Sequence, residues 1–266
     1  MSVAVASIEK INALKTGIEA TTGESYNDLT EAVQGLKNGY GQSGGGEVGK
    51  PYLDTRLITS FANFFDYGVR RELLPLLGVI IDTSESTSFS AMFSKYLSYG
   101  DFEIPLFDTS KGKEFLNMFK DCAGLQTIPH FNTRAGEKFD YMFSGCKALT
   151  SVPLLDIKNG TSFKQMFSNC SKLENLSLGT PKGNFETYTF QGCTALTNLT
   201  IGEGWAVNIY LTYSNNLSVE SLHGMIENLA DLTGTTAKTF SVGATNLAKI
   251  DEEHIAMLQA KNWTYS

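Results

Sequence analysis

Phe139-Asp-Tyr-Met-Phe-Ser-Gly-Cys-Lys-Ala-Leu-Thr-Ser-Val-Pro153 decides the fold, because the chain repeats it. Phe115-Leu-Asn-Met-Phe-Lys-Asp-Cys-Ala-Gly-Leu-Gln-Thr-Ile-Pro129 carries the same apolar and proline positions. The rare residues keep the register. Cys122, Cys146, Cys170 and Cys193 are spaced 24, 24 and 23 apart. Met92, Met118, Met142 and Met166 are spaced 26, 24 and 24, and Pro105, Pro129 and Pro153 follow at 24. A fixed period of this length marks a repeat architecture.

Six units follow from the Met-Phe pair, with Phe65, Phe93, Phe119, Phe143, Phe167 and Phe190 at the second position. Three residues before the methionine position stand Phe61, Phe89, Phe115, Phe139 and Phe163; the sixth unit has Glu186 there and reads as degenerate. Gly68 and Tyr96 replace the cysteine in the first two units. Phe163, Met166, Phe167 and Cys170 fall at i, i+3, i+4 and i+7, which predicts one face of a short helix. Leu173-x-x-Leu176-x-Leu178 then alternates as a strand does. Neither piece can bury its apolar side alone, whereas stacked copies can. The expected fold is therefore α+β: a solenoid of about 24-residue repeats with a continuous core.

The pattern Phe-x-x-Met-Phe-x-x-Cys-x-x-Leu-x-x-Ile-Pro resembles the BspA-like class of bacterial leucine-rich repeats over residues 58–212. The resemblance implies the fold more sharply than the function, since that class includes adhesins, surface antigens and phage proteins.

Residues 213–266 leave the motif and read as a cap of helix, strand, helix and strand. Leu217-Ser218-Val-Glu-Ser-Leu222 has an N-cap with a hydrophobic staple, followed by a stripe of Leu222, Met225, Ile226, Leu229 and Leu232 that Gly234 stops. Thr239–Gly243 is a strand candidate. Ile250–Ile255 opens a second helix reaching about Lys261, and Asn262–Tyr265 is a last strand. The segment from Asn216 to Ser266 is similar to C-terminal segments of tail-associated proteins of phages and prophages of gut bacteria.

Residues 1–42 contain neither Phe nor Cys. Ile8, Ile11, Leu14 and Ile18 share one helical face, and Tyr26, Leu29, Val33, Leu36 and Tyr40 form an a/d seam. Each stretch is about two heptads, near the lower limit for an isolated helix, so both need a partner: each other in a hairpin, copies from other subunits, or a larger assembly. Residues 43–57 contain a Gly-rich linker. Arm, linker and head resemble the layout of phage fibres and receptor-binding proteins, whose arms attach to the particle and often trimerise. The resemblance implies a virion protein made in the host cytoplasm. It would attach to a host surface glycan or protein through the repeat head and to other virion proteins through the arm. A head fibre or capsid decoration protein, and a bacterial surface adhesin, are the alternatives.

Composition narrows the chemistry. The chain has 266 residues, 42% hydrophobic and 18% charged, with a net charge of −7 and no basic run, which argues against nucleic acid. The longest apolar run, Leu73–Ile81, is nine residues, short of the roughly 20 a membrane helix needs. The first ten residues lack a secretory pattern. The cysteines read as reduced core thiols, with no Cys-x-x-Cys pair for a metal. No catalytic triad order and no recurrent acid pair supports an enzyme. Gly44–Lys50 is followed by Pro51, which departs from a phosphate loop. No cofactor is expected.

Binding is the better reading. Residues between core leucines face outward, which selects Thr127, Ser151, Asn175, Asn198, Ser177 and Thr200, a neutral surface of hydroxyls and amides. His130 is aligned with Leu106, Leu154, Leu178 and Ile201 and joins the candidates. His223 and His254, near the starts of the cap helices, are expected to be solvated or to cap.

Overall fold

The first half of each repeat folds as two consecutive tight turns. In the computed structural model, which describes residues 59–63, 83–95, 104 and 106–266, the Met118 amide donates to the Phe115 carbonyl at 3.3 Å. The Cys122 amide donates to the Phe119 carbonyl at 3.1 Å. Asn117 and Asp121, the third residue of each turn, have φ of +56° and +59°. Positive φ at that position marks a type II turn. Ala91 with Lys95, Tyr141 with Gly145, and Gln165 with Asn169 repeat the arrangement.

The helix expected from Phe163, Met166, Phe167 and Cys170 is therefore absent. Tandem turns deliver side chains inward at the same spacing, so periodicity alone does not separate the two. The backbone does. Phe115, Asn117, Phe119 and Asp121 each donate their N–H to the next unit, onto the carbonyls of Lys138, Asp140, Met142 and Ser144, at 2.7–2.9 Å. A helix would spend those groups within itself.

Because every unit bonds to its neighbour, equivalent side chains stack into columns. Phe89, Phe115, Phe139, Phe163 and Phe185 form one, with ring centroids 4.5–5.7 Å apart. Phe93, Phe119, Phe143, Phe167 and Phe190 form a second, at 5.3–5.7 Å. The sixth unit is thus intact: Phe185, one residue earlier than the spacing requires, fills the place read as Glu186, which is exposed. Trp205 extends that column, 5.4 Å from Phe185.

The cysteines form a third column. The thiols of Cys122, Cys146, Cys170 and Cys193 donate to the carbonyls of Phe93, Phe119, Phe143 and Phe167 in the preceding unit, at 3.0–3.1 Å. All four are buried and free. Burial pushes the Cys146 and Cys170 thiols well up, and that of Cys193 up to about 12. Ser214 continues the column by donating to Phe190 O at 3.2 Å. Leu211-x-x-Ser214-x-x-Leu217 is thus a seventh copy of Phe190-x-x-Cys193-x-x-Leu196.

Another repeated turn precedes Phe89, Phe115, Phe139 and Phe163. Thr109 and Thr133 donate to the Asn132 and Asp156 carbonyls of the next unit, both at 2.9 Å. Gly112, Gly136 and Gly160 close these turns beneath the rings, and a Cβ on Gly136 would lie 2.3 Å from Phe139 Cζ.

The second half of the unit supplies strands β1 (Ser151–Leu155), β2 (Asn175–Leu178) and β3 (Asn198–Ile201), paired in parallel in that order. Helix α1 (Val219–Asn228) covers the open edge of β3. Ser221 Oγ accepts from Leu199 N at 2.9 Å and donates to Leu199 O at 3.0 Å, while Asn228 Nδ2 donates to Ile201 O at 2.9 Å. Side chains here replace the next strand, which blunts an edge open to pairing. A second parallel sheet runs β4 (Ile209–Tyr210), β5 (Lys238–Ser241), β6 (Trp263–Tyr265). Helices α2 (Gly243–Leu247) and α3 (Glu252–Ala260) lie between β5 and β6.

The Ser218 cap is present, accepting from Ser221 N, and Leu217 and Leu222 are both buried. The first cap helix ends at Asn228, so Leu232 and Gly234 belong to the following turn, and α2 is a helix that the spacing does not predict. Residues 1–42 with Ile8, Ile11, Leu14, Ile18, Tyr26, Leu29, Val33, Leu36 and Tyr40, the linker at 43–57, and Phe65, Gly68, Tyr96 and Pro105 lie outside the described residues. Among the described residues, no helix is long and apolar enough to cross a membrane.

Candidate binding face

Alternation in β2 and β3 places Leu176, Leu178, Leu199 and Ile201 inward and leaves Asn175, Ser177, Asn198 and Thr200 facing out. Register aligns Ser151 with Asn175, Asn175 with Asn198, and Ser177 with Thr200, so these five candidates share one face. Thr127 is exposed at the matching place of the preceding unit, outside a named strand. Asn198 Nδ2 donates to Asn175 Oδ1 at 2.8 Å and Ser218 Oγ donates to Asn198 Oδ1 at 3.4 Å, which fixes the amide orientations. Among the described residues, the hydroxyls of Thr127, Ser151, Ser177 and Thr200 make no hydrogen bond, so their donors remain open to a ligand.

His130 needs a correction of register. Leu155 pairs with Leu178, and the ladder shifts between Val152 and Leu155. The buried column is therefore Phe107, Phe131, Leu155, Leu178 and Ile201, not the set first aligned with His130. Units with Ile-Pro or Val-Pro carry one extra residue, and it bulges outward. His130 is exposed there, in line by sequence with Leu106 and Leu154, whose exposures are 66% and 56%. The missing residue after Leu176 also explains why Cys170 and Cys193 are 23 apart rather than 24.

Three arrangements have no counterpart in the sequence pattern used above. Tyr188 and Tyr213 are exposed, with ring centroids 6.1 Å apart, and Lys120 lies over the Tyr141 ring at 5.0 Å. These aromatics belong to the turn side of the units, away from the strand face, and their unit-to-unit spacing is the signal that could have found them. His223 and His254, assigned to separate solvated or capping roles, stack on one another at 3.6 Å.

Residues 77–179 match the family model described as "Mycoplasma protein of unknown function, DUF285". The match covers less than half of the chain and includes the described stacked units between Thr83 and Gly179. No curated protein and no solved structure matches.

Proposed function

We propose that this chain is a phage virion structural protein, a tail fibre or receptor-binding protein. The stacked units are read as a leucine-rich-repeat solenoid that presents the β1–β3 face to a glycan or protein on the bacterial surface. The observation that carries the binding role is the in-register, outward row of Ser151, Asn175, Asn198, Ser177 and Thr200 with four hydroxyls, Thr127 included, unused inside the chain. Hydroxyl and amide groups on a rigid sheet suit hydrogen bonding to sugar hydroxyls or peptide groups without a large ordering cost. The exposed Leu106, His130 and Leu154 bulges would border that row with apolar and aromatic surface.

The phage attribution rests on the arm–linker–head layout and on the similarity of residues 216–266 to tail-associated proteins. The partial family match agrees with the head, since that family is associated with BspA-like repeat proteins. In this reading the arm trimerises and docks to the particle.

The test has two parts. Antibody against the chain should label the outer surface of intact particles. Labelled full chain should adsorb to host cells, and Asn175→Ala with Asn198→Ala and Thr200→Ala should reduce adsorption about tenfold or more, the loss of one to two good polar contacts. Particles that lack the chain would overturn the virion role. Undiminished adsorption by the triple variant would overturn the strand face as the binding surface.

A further inference from the structure

Helices α1 and α3 bring together a side-chain cluster that the binding reading does not use. His223 and Glu227 lie one turn apart on α1, and Asp251 caps the N-terminus of α3 with His254 in its first turn. We propose that His223, Asp251 and His254 bind a divalent transition-metal ion of the zinc class, clamping the two cap helices, with Glu227 beside it.

The geometry comes first. Each of the three residues offers one ligand atom, and these atoms lie within 4.8 Å of one another. Asp251 divides its labour. Its Oδ1 accepts from His254 N at 2.9 Å and lies 2.7 Å from His254 Nδ1. Its Oδ2 lies 3.7 Å from His223 Nε2. That separation is long for a hydrogen bond but close to the edge of a tetrahedron, about 3.4 Å for metal bonds of about 2.1 Å.

The second observation is an orphan. His223 Nε2 is shielded from solvent and has no hydrogen-bond partner. A buried polar nitrogen left unpaired is costly, and a cation on its lone pair removes the cost. The donor set also fits: two imidazoles and a carboxylate suit zinc and its neighbours rather than magnesium or calcium. Asp251 and Glu227, whose Oε1 is 3.7 Å from His254 Nε2, together carry the two negative charges that balance such an ion.

The stacked rings supply a signature. His223 and His254 lie with centroids 3.6 Å apart and planes 14° from parallel. A metal bond runs along the lone pair in the ring plane, so two parallel rings cannot both point at one ion. Binding must turn at least one ring about its Cβ–Cγ bond and break the stack, while the helices stay in place.

The test uses the full chain without an affinity tag, titrated with zinc chloride and, in parallel, magnesium chloride. One equivalent of zinc per chain is expected, with no magnesium binding. His223→Gln and His254→Gln should each weaken zinc tenfold or more, and His130→Gln should leave it unchanged. Ring resonances of His223 and His254 should shift on zinc addition while those of His130 stay still. This readout needs no variant to fold. Absence of zinc binding, affinity unaltered in both variants, or unmoved His223 and His254 resonances would overturn the proposal and leave a stacked histidine pair that only holds the cap.

Discussion

Gly136→Ala tests whether the phenylalanine column is a rigid stack. A Cβ there would fall 2.3 Å from Phe139 Cζ and 2.9 Å from the Thr133 carbonyl oxygen. The Phe139 ring cannot swing away freely, because Phe115 stacks on it at 5.4 Å and Phe163 at 5.6 Å. Overpacking of this kind costs about 1–3 kcal/mol, partly offset by the roughly 0.4–1 kcal/mol that alanine gains by restricting the unfolded chain. The chain contains a comparison of its own: Ser86 closes the equivalent turn before Phe89. The Phe89–Phe115 pair is the widest and most tilted phenylalanine pair of that column, at 5.7 Å and 10°. Adjustment is therefore available beside Phe89, and a net loss of about 1–2 kcal/mol is expected at Gly136. Denaturant unfolding of Gly136→Ala, Phe139→Leu and the double variant measures it. Leucine lacks Cζ, so the double variant should be more stable than the sum of the singles by about 1 kcal/mol. Additive singles, or a Gly136→Ala variant more stable than the parent, would refute the rigid stack.

Ser221→Ala removes both bonds to Leu199 and leaves a strand-edge N–H and C=O without a partner, so a loss of about 1–3 kcal/mol is expected in the same assay. Gly145→Ala should cost about 2 kcal/mol, since φ is +80° and the new carbon meets Asp121 Oδ1. The four thiols should resist alkylation in the folded chain at pH 8 and react once it is unfolded. The raised pKa of Cys146, Cys170 and Cys193 means the folded state holds protons that the unfolded state releases. Stability is thus full below about pH 9 and falls between there and about 12 for Cys193, by up to about 1.4 kcal/mol per pH unit; a pH series of melting curves checks the sign.

Much of this molecule was legible because the repeat forces rare residues into one register. Cys122 to Cys193 marked the units, and Ser218 and Asp251 marked the starts of two cap helices, because side-chain capping is local chemistry. The turns were not legible as turns. Phe, Met, Phe and Cys recur at helical spacing, and only the φ of Asn117, Asp121 and their equivalents distinguishes the two conformations. The slip of His130 has the same origin: Pro153 and Leu154 look like ordinary alternation until the register shift before Leu155 shows that the unit has one residue to spare. Phe185 escaped because a one-residue shift between Gly183 and Phe190 preserves the stack but not the count. The His223–His254 contact escaped because it depends on how two helices pack, which no local pattern encodes.

The bulge occupied by Leu106, His130 and Leu154 has an evolutionary consequence. Its residue lies outside the buried columns, so selection on folding barely reads it. On the proposed binding role, three such positions beside the strand face can drift quickly with a changing target, while the ring and thiol columns hold the scaffold constant. Variation among natural relatives should concentrate at these three places before it touches the strands.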